Sequence, residues 1–325
     1  MIGATSVVAT EAVLPAIAST PAARLVAVAS RDGSAAEALG RRFGAARHYG
    51  RYEDVLADPD VEAVYVPLPN GLHREWTERA AAAGRAVLCE KPLAPTAADA
   101  EAMAEACRAA GTVLLEAYMT PYHPRAEAAA ALLAAGGLGT PRHASATFTF
   151  TLDDPGNHRW LPAQGGGALL DVGVYCVSPL LEVGGGVDQV TEVAAHAVPA
   201  PSGVDATFSG WLAFAGGCTA SFVCSFEAPE HQHLEVVGTD ARLDVELPFA
   251  AGPAGTRARV HHRDGRVQDV PGPDDDPYRA MVDHFAAVVR GRTASRRPPA
   301  QSVALLGLFD RLRSAAGAAV PGAAA

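Results

Sequence analysis

Over the first third of the chain, short apolar runs alternate with Ala-rich segments of helical period, which predicts a parallel sheet covered by helices. Arg24 to Ser30 (RLVAVAS), Val61 to Pro67 (VEAVYVP), Val87 to Glu90 and Val113 to Glu116 read as strands. Ser34 to Phe43, His73 to Gly84 and Ala97 to Ala110 read as helices, the first capped by Asp32 or Ser34. After Glu116 the character changes. A helix from about Pro124 to Ala135 leads into segments of period two: His143 to Thr151, Gln189 to Val198, Ala206 to Phe214, Thr219 to Phe226, Leu234 to Val237 and Leu243 to Val245. With Gly and Pro turns between them, they predict a mostly antiparallel sheet. Helices from Pro277 to Val289 and from Ser302 to Ala315 follow, and the Ala-Gly-Pro tail from Ala316 is expected to be loose. The fold class expected is therefore α/β. A Rossmann-type doubly wound parallel sheet occupies 1–118, and a C-terminal α/β domain with a large, open, mostly antiparallel sheet occupies 119–325.

The opening of the first sheet departs from that plan. A doubly wound domain starts with a buried strand of about 5–6 residues, then a glycine turn into a helix that offers its N-terminus to phosphate. Only Met1 and Ile2 precede Gly3 here, so the first strand is truncated. With Gly3 as the first glycine of G-x-G-x-x-G, Thr5 and Val8 stand where small residues are wanted. The expectation is that the chain as given starts several residues late.

Composition narrows the class. The 325 residues are 49% hydrophobic and 19% charged, enough for two domains with cores of their own. A net charge of -10 argues against a nucleic-acid partner, which needs clustered Lys and Arg. No run of about 18 apolar residues predicts a membrane span, and no basic leader precedes an apolar segment. Five scattered cysteines without a CxxC pair suit a reducing cytoplasm and buried thiols, not zinc or a disulfide frame.

Two stretches carry candidate chemistry. The run Val87 to Cys89 ends in Glu90-Lys91-Pro92. Ligands of open α/β sheets bind beyond the carboxyl ends of strands, so Lys91 can hydrogen-bond a substrate oxygen; a solvated lysine closing a strand is the plainer alternative. The second stretch is Gln164-Gly165-Gly166-Gly167 followed by ALLDVGVYC. Three glycines allow close backbone approach to a ligand. Asp171 and Tyr175, four residues apart, share one face of an otherwise apolar helix. A buried Asp and Tyr need partners. They read either as a cap and a core residue or as an orienting carboxylate and a proton donor beside Lys91.

The chain resembles the family of glucose-fructose oxidoreductase and inositol 2-dehydrogenase (Gfo/Idh/MocA) over essentially its whole length. The resemblance lies in VYVPLPNGLH, LCEKPL, EAYMTPYHPR, the Gly-rich loop into ALLDVGVYCVSP, HLEVVGTDARL and DPYRAMVDHFAAVVRG. It implies a dinucleotide-binding domain, then a domain whose open sheet binds substrate or a partner subunit. It also implies Lys91 and Tyr175 in catalysis with Asp171 alongside. Tyr175, where many members carry histidine, looks more like aldose and dihydrodiol dehydrogenases and keto-sugar reductases. Departures are the short first strand, the weak glycine turn, and Pro121 where relatives often have arginine.

These readings converge on reversible hydride transfer between a nicotinamide and a secondary alcohol, hemiacetal or keto group of a sugar or cyclic polyol. Cofactor contacts are expected from Gly3, Thr5 and Ser6; from Ser30 and Arg31 after the RLVAVAS strand; from Pro67, Leu68, Asn70 and His73; and from Glu90 and Lys91. Ser30 and Arg31 suit a 2′-phosphate, with Asp32 read as a helix cap, so NADP is preferred over NAD. Tyr122, His123, Arg159, Trp160, Asp171 and Tyr175 are the candidate substrate contacts; packed or surface roles are the alternatives for the first four. His231 and His233 lack a third ligand, so no metal is expected. His261-His262 reads as a solvated hairpin. A homo-oligomer, dimer or tetramer, assembled through the C-terminal sheet is expected, and no membrane partner. A non-catalytic nucleotide sensor on the same fold is the competing reading.

Overall fold

A computed structural model describes residues 1–249, 257–272 and 275–318; the tail beyond 318 lies outside the described residues. The chain divides into two compact units, Met1–Met119 with Asp276–Val303, and Thr120–Asp275 with Ala304–Ala325.

In the first unit the predicted alternation is realised as α1 (Leu14–Ser19), β1 (Ala27–Ala29), α2 (Gly33–Phe43), β2 (Arg47–Tyr49), α3 (Tyr52–Ala57), β3 (Ala63–Val66), α4 (His73–Ala82), β4 (Ala86–Glu90), α5 (Ala97–Ala109) and β5 (Leu114–Ala117). β1 pairs with β2 and β3-β4-β5 pair in order, all parallel. Met1 and Ile2 lie between the two sets. Ala29 donates its N–H to the Met1 carbonyl (2.9 Å), and Ile2 donates to the Tyr65 carbonyl (3.2 Å). The Met1 α-amino group donates to Ala27 (2.8 Å). Through these bonds Met1 and Ile2 join the two sets of strands. β1 is regular only over Ala27–Ala29, shorter than the RLVAVAS run.

The Asp32 carboxylate caps α2, accepting from the N–H groups of Ser34 (2.9 Å) and Ala35 (3.2 Å). Buried Glu116 at the end of β5 gathers three donors: Leu93 N–H (2.8 Å), Arg297 Nε (2.6 Å) and Ser302 Oγ (2.7 Å). The last two come from Asp276–Val303, so this late segment is bonded into the first unit's sheet.

The second unit contains α6 (Pro124–Ala134), β6 (Pro141–Thr151), α7 (Val174–Gly184), β7 (Val190–Pro199), β8 (Asp205–Phe214), β9 (Thr219–Ser225), β10 (Glu227–Gly238), β11 (Ala241–Glu246), β12 (Ala258–His262) and β13 (Val267–Asp269). Its eight strands run in the order β13-β12-β11-β10-β6-β9-β8-β7, with β6–β9 the parallel pair. His261 and His262 end a strand of the β12–β13 hairpin. α7 packs on β6 and β9, over buried Ala144, Ala146, Phe222 and Cys224. The other face carries exposed Val198, Trp211 and Val223. α8 (Pro277–Val289) and α9 (Pro299–Ala315) close the chain. The segment Pro162–Gly184 is long and apolar enough to cross a membrane, but 67% of its apolar window is buried inside the fold, as in a core helix. All five cysteines are free and buried.

Candidate active site

The chemistry-bearing residues fall into two poles, one in each unit. In the first, β3 and β4 end side by side, in register from Ala63↔Ala86 to Val66↔Cys89. Their carboxyl ends therefore place the Pro67–Asn70 loop beside Glu90 and Lys91. The Lys91–Pro92 peptide is cis. Lys91 is partly exposed. Glu90 turns inward: Tyr65 donates its hydroxyl to Oε1 (2.5 Å), and the Lys91 N–H reaches Oε2 (3.2 Å). Burial pushes the Glu90 carboxyl up to about 7, against the opposing effects of the Tyr65 hydroxyl and the Lys91 charge. His73 is fully buried, with Nε2 2.7 Å from the Leu68 carbonyl and Nδ1 3.0 Å from that of Pro92. Burial lowers its pKa, while the carbonyls act the other way. Glu90 and His73 thus hold the two strand-end loops together from inside. That differs from the edge contact the sequence suggested, because a buried carboxylate and imidazole must find partners in the protein.

At the start of the sheet, Gly3 has φ +58°, and a Cβ there would stand 2.6 Å from Leu68 Cδ2. A side chain at this turn would collide with the next strand's loop. Ser6 follows and its Oγ accepts the Ala9 N–H (3.2 Å), capping a helical stretch over 7–19; Thr5 is exposed. Ser30 is buried and its Oγ accepts from the Asp32 N–H, whereas Arg31 is exposed and hydrogen-bonds the Tyr52 side chain. This constellation fits a dinucleotide. A tight glycine turn opens a helix, and the carboxyl ends of parallel strands surround it. Arg31 and Asp32 are both exposed after β1, and of the two the Asp32 carboxylate is the one engaged in capping.

The second pole is the triglycine loop and its helix. A π turn, Leu169–Gly173, precedes α7, an irregularity frequent at functional sites. Asp171 lies in it and forms an ion pair with Arg159 (Nε–Oδ2 2.7 Å). Tyr175 is buried, its ring 5.5 Å from that of Phe148 and 6.1 Å from that of Phe249. Sequence reasoning missed Asp205. From the start of β8 it accepts the Leu169 N–H (2.6 Å) at the helix's beginning. Gly167 has φ +112°, and a Cβ on it would lie 2.4 Å from Asp205 Oδ1. The glycine run therefore makes room for the protein's own carboxylate. The signal was the triglycine itself; nothing at position 205 marked its partner.

The remaining candidates are held by the protein. His123 Nδ1 accepts the Arg125 N–H (3.0 Å) and caps α6, and Tyr122 is buried just before it. Trp160 packs on Ala200, Val204 and Ala206 and meets Phe226 edge-on at 5.3 Å, which makes it an anchor of its loop. His231 and His233 stack at 6.2 Å. Among the described residues, no three His, Cys, Asp or Glu side chains are grouped to hold a metal.

Known proteins resemble this chain over most of its length. Residues 1–118 match the oxidoreductase family with an NAD-binding Rossmann fold (GFO_IDH_MocA), and residues 126–244 match the GFO/IDH/MocA C-terminal domain. D-xylose 1-dehydrogenase (NADP(+)) 2 of Haloferax volcanii is 37% identical over 97% of both chains. A dTDP-3,4-didehydro-2,6-dideoxy-alpha-D-glucose 3-reductase of Streptomyces violaceoruber is 36% identical over 87% of this chain and 82% of its own. Among solved structures, the 3-ketoreductase KijD10 of Actinomadura kijaniata, in complex with NADP and TDP-benzene, superposes with a TM-score of 0.87 at 31% identity, covering 97% of this chain and 96% of its own. The chain is an oxidoreductase of the Gfo/Idh/MocA family.

Proposed function

We propose that the protein is an NADP-dependent oxidoreductase interconverting a secondary alcohol or hemiacetal of a sugar or cyclic polyol with the corresponding carbonyl. The observation that carries this reading is a strand-end lysine, Lys91, combined with Asp171 and Tyr175 on one short helical stretch. The relatives at 37% and 36% identity are a sugar dehydrogenase and a keto-sugar reductase. KijD10 has also been solved with a single lysine or a single tyrosine replaced.

NADP, when bound, supplies the hydride acceptor in oxidation and the hydride donor in reduction. Gly3, Thr5, Ser6, Ser30, Arg31 and the loop from Pro67 to Asn70 would hold it. In oxidation the substrate carbon loses its hydride while Tyr175, acting as the phenolate, takes the hydroxyl proton to become the phenol, and the carbon–oxygen double bond forms. In reduction Tyr175 returns the proton. Lys91 stabilises the charge on the reacting oxygen, and Asp171, held by Arg159, orients the sugar hydroxyls. With a panel of aldoses, inositols and keto-sugars, Lys91→Ala and Tyr175→Phe should each lower turnover by on the order of 10²–10⁴-fold. Near-wild-type turnover in both would overturn the assignment. Arg31→Ala should reduce the preference for NADP over NAD, measured as the ratio of kcat/KM values. A fully buried complement of free cysteines also suits a cytoplasmic enzyme.

A further inference from the structure

Relatives of this chain act on both free sugars and nucleotide-linked sugars, which differ by a diphosphate. The second pole has two features that ordinarily receive such an anion. One is the N-terminus of the helix after the triglycine loop, where backbone N–H groups and the helix dipole favour negative charge. The other is the guanidinium of Arg159, whose planar fork matches phosphate oxygens. Each is already engaged from within by a carboxylate of the protein. Asp205 accepts the Leu169 N–H at 2.6 Å, and a Cβ on Gly167 would fall 2.4 Å from its other carboxylate oxygen. Arg159 Nε is 2.7 Å from Asp171 Oδ2. From 153 to 175 the fixed charges are Asp153, Asp154 and Asp171 against Arg159 alone, so the balance is negative. The reactive Tyr175 meanwhile lies against the rings of Phe148 and Phe249, surfaces suited to the C–H face of a pyranose or cyclitol.

We propose that this pole selects an uncharged polyol, a free aldose or cyclitol, and offers no seat for the diphosphate of a nucleotide sugar. The inference rests on the sugar-oxidoreductase reading above and narrows its substrate class. A second anion approaching Arg159 meets Asp171 in contact with that cation, and one approaching the helix start meets Asp205.

The test uses the full chain saturated with NADP, so that nucleotides do not occupy the cofactor site. Free aldoses and inositols are assayed for oxidation, with TDP and inorganic pyrophosphate as probes competing against the sugar. The expected result is turnover of a free sugar or cyclitol, with no competitive inhibition by TDP or pyrophosphate in the wild type. Asp171→Asn keeps the side-chain shape and removes the charge facing Arg159. It should gain pyrophosphate affinity on the order of tenfold, the size of one charge-assisted hydrogen bond, read by calorimetry independently of turnover. Competitive inhibition of the wild type by TDP, or efficient reduction of a TDP-linked keto-sugar, would overturn the inference while leaving the oxidoreductase reading intact. An unchanged pyrophosphate affinity in Asp171→Asn would equally count against it. Absence of turnover on every sugar would instead remove the reading on which it rests.

Discussion

At the scale of single residues, Glu90 shows how a strand-end motif is kept in place. Its carboxyl is buried between the Tyr65 hydroxyl and the Lys91 backbone, and burial raises its pKa from 4.5 to about 7. An acid whose pKa is higher in the folded state gives stability that is complete below pH 4.5 and lost as the pH rises through 7. The interval corresponds to on the order of 3 kcal/mol. Glu90→Gln keeps an acceptor for Tyr65 and has no charge to desolvate. Its stability relative to the wild type should therefore improve between pH 4.5 and 8, as measured by urea denaturation at a series of pH values. A difference that does not change with pH would show that Glu90 keeps an ordinary pKa. The motif itself was legible because Glu-Lys-Pro follows an apolar run. The partners of Glu90 and His73 were not, since a tyrosine inside β3 and backbone carbonyls of two loops carry no mark in the sequence.

At the scale of elements, legibility followed apolar patterning. Most long runs became strands and helices within a residue or two of their expected ends, as with Pro277–Val289, but β10 begins at Glu227, seven residues before the expected Leu234, and α9 begins three before the expected Ser302. β2 (RHY) and β13 (VQD) went unread because three residues without alternation give no period to detect. The short segment Met1–Ile2 was visible as a departure from the expected first strand, but its hydrogen bonds to Ala29 and Tyr65 were not. Its consequence is electrostatic. The Met1 amine is buried, and burial lowers its pKa from 8.0 to about 5. A base whose pKa is lower in the folded state binds fewer protons there than when unfolded. For a polypeptide beginning at Met1, stability should thus rise as the pH goes from 5 to 8, by on the order of 4 kcal/mol at most. This slope opposes that of Glu90 over the same range, so the two must be separated. Acetylating the amine keeps an N–H donor for Ala27 and removes the titration, and the cavity of ≈ 580 Å³ lined by Met1, Arg24–Ala27 and Val61–Val64 leaves space for the acetyl group. Loss of the positive slope on acetylation, in the Glu90→Gln background, is the expected result; an unaltered slope would assign it to another group.

At the scale of the whole molecule, the eight-stranded sheet has one face packed against α7, and on the other, among the described residues, several apolar side chains are exposed. The strand register identifies what that open face presents. Ala194 pairs with Trp211, His196 with Ser209 and Val198 with Thr207, while Ser209 pairs with Val223. Residues two apart share a face, so Val198, Trp211 and Val223, 42%, 36% and 38% exposed, all project on the same side. Exposed apolar side chains gathered on one flat sheet face mark an interaction surface. A symmetric pair of copies would bury the same patch twice. We infer that the protein forms homo-oligomers through this face. Trp211→Asp would place a charge at the centre of the interface, where desolvating it without a partner is costly. Light scattering coupled to size exclusion should then find the wild type as a dimer or tetramer and the variant shifted to a smaller species. Circular dichroism of the variant should be unchanged, because the substituted side chain lies outside the α7-covered core. A monomeric wild type, or an assembly that survives Trp211→Asp together with Val223→Asp, would place the subunit contact elsewhere and leave this patch needing another partner.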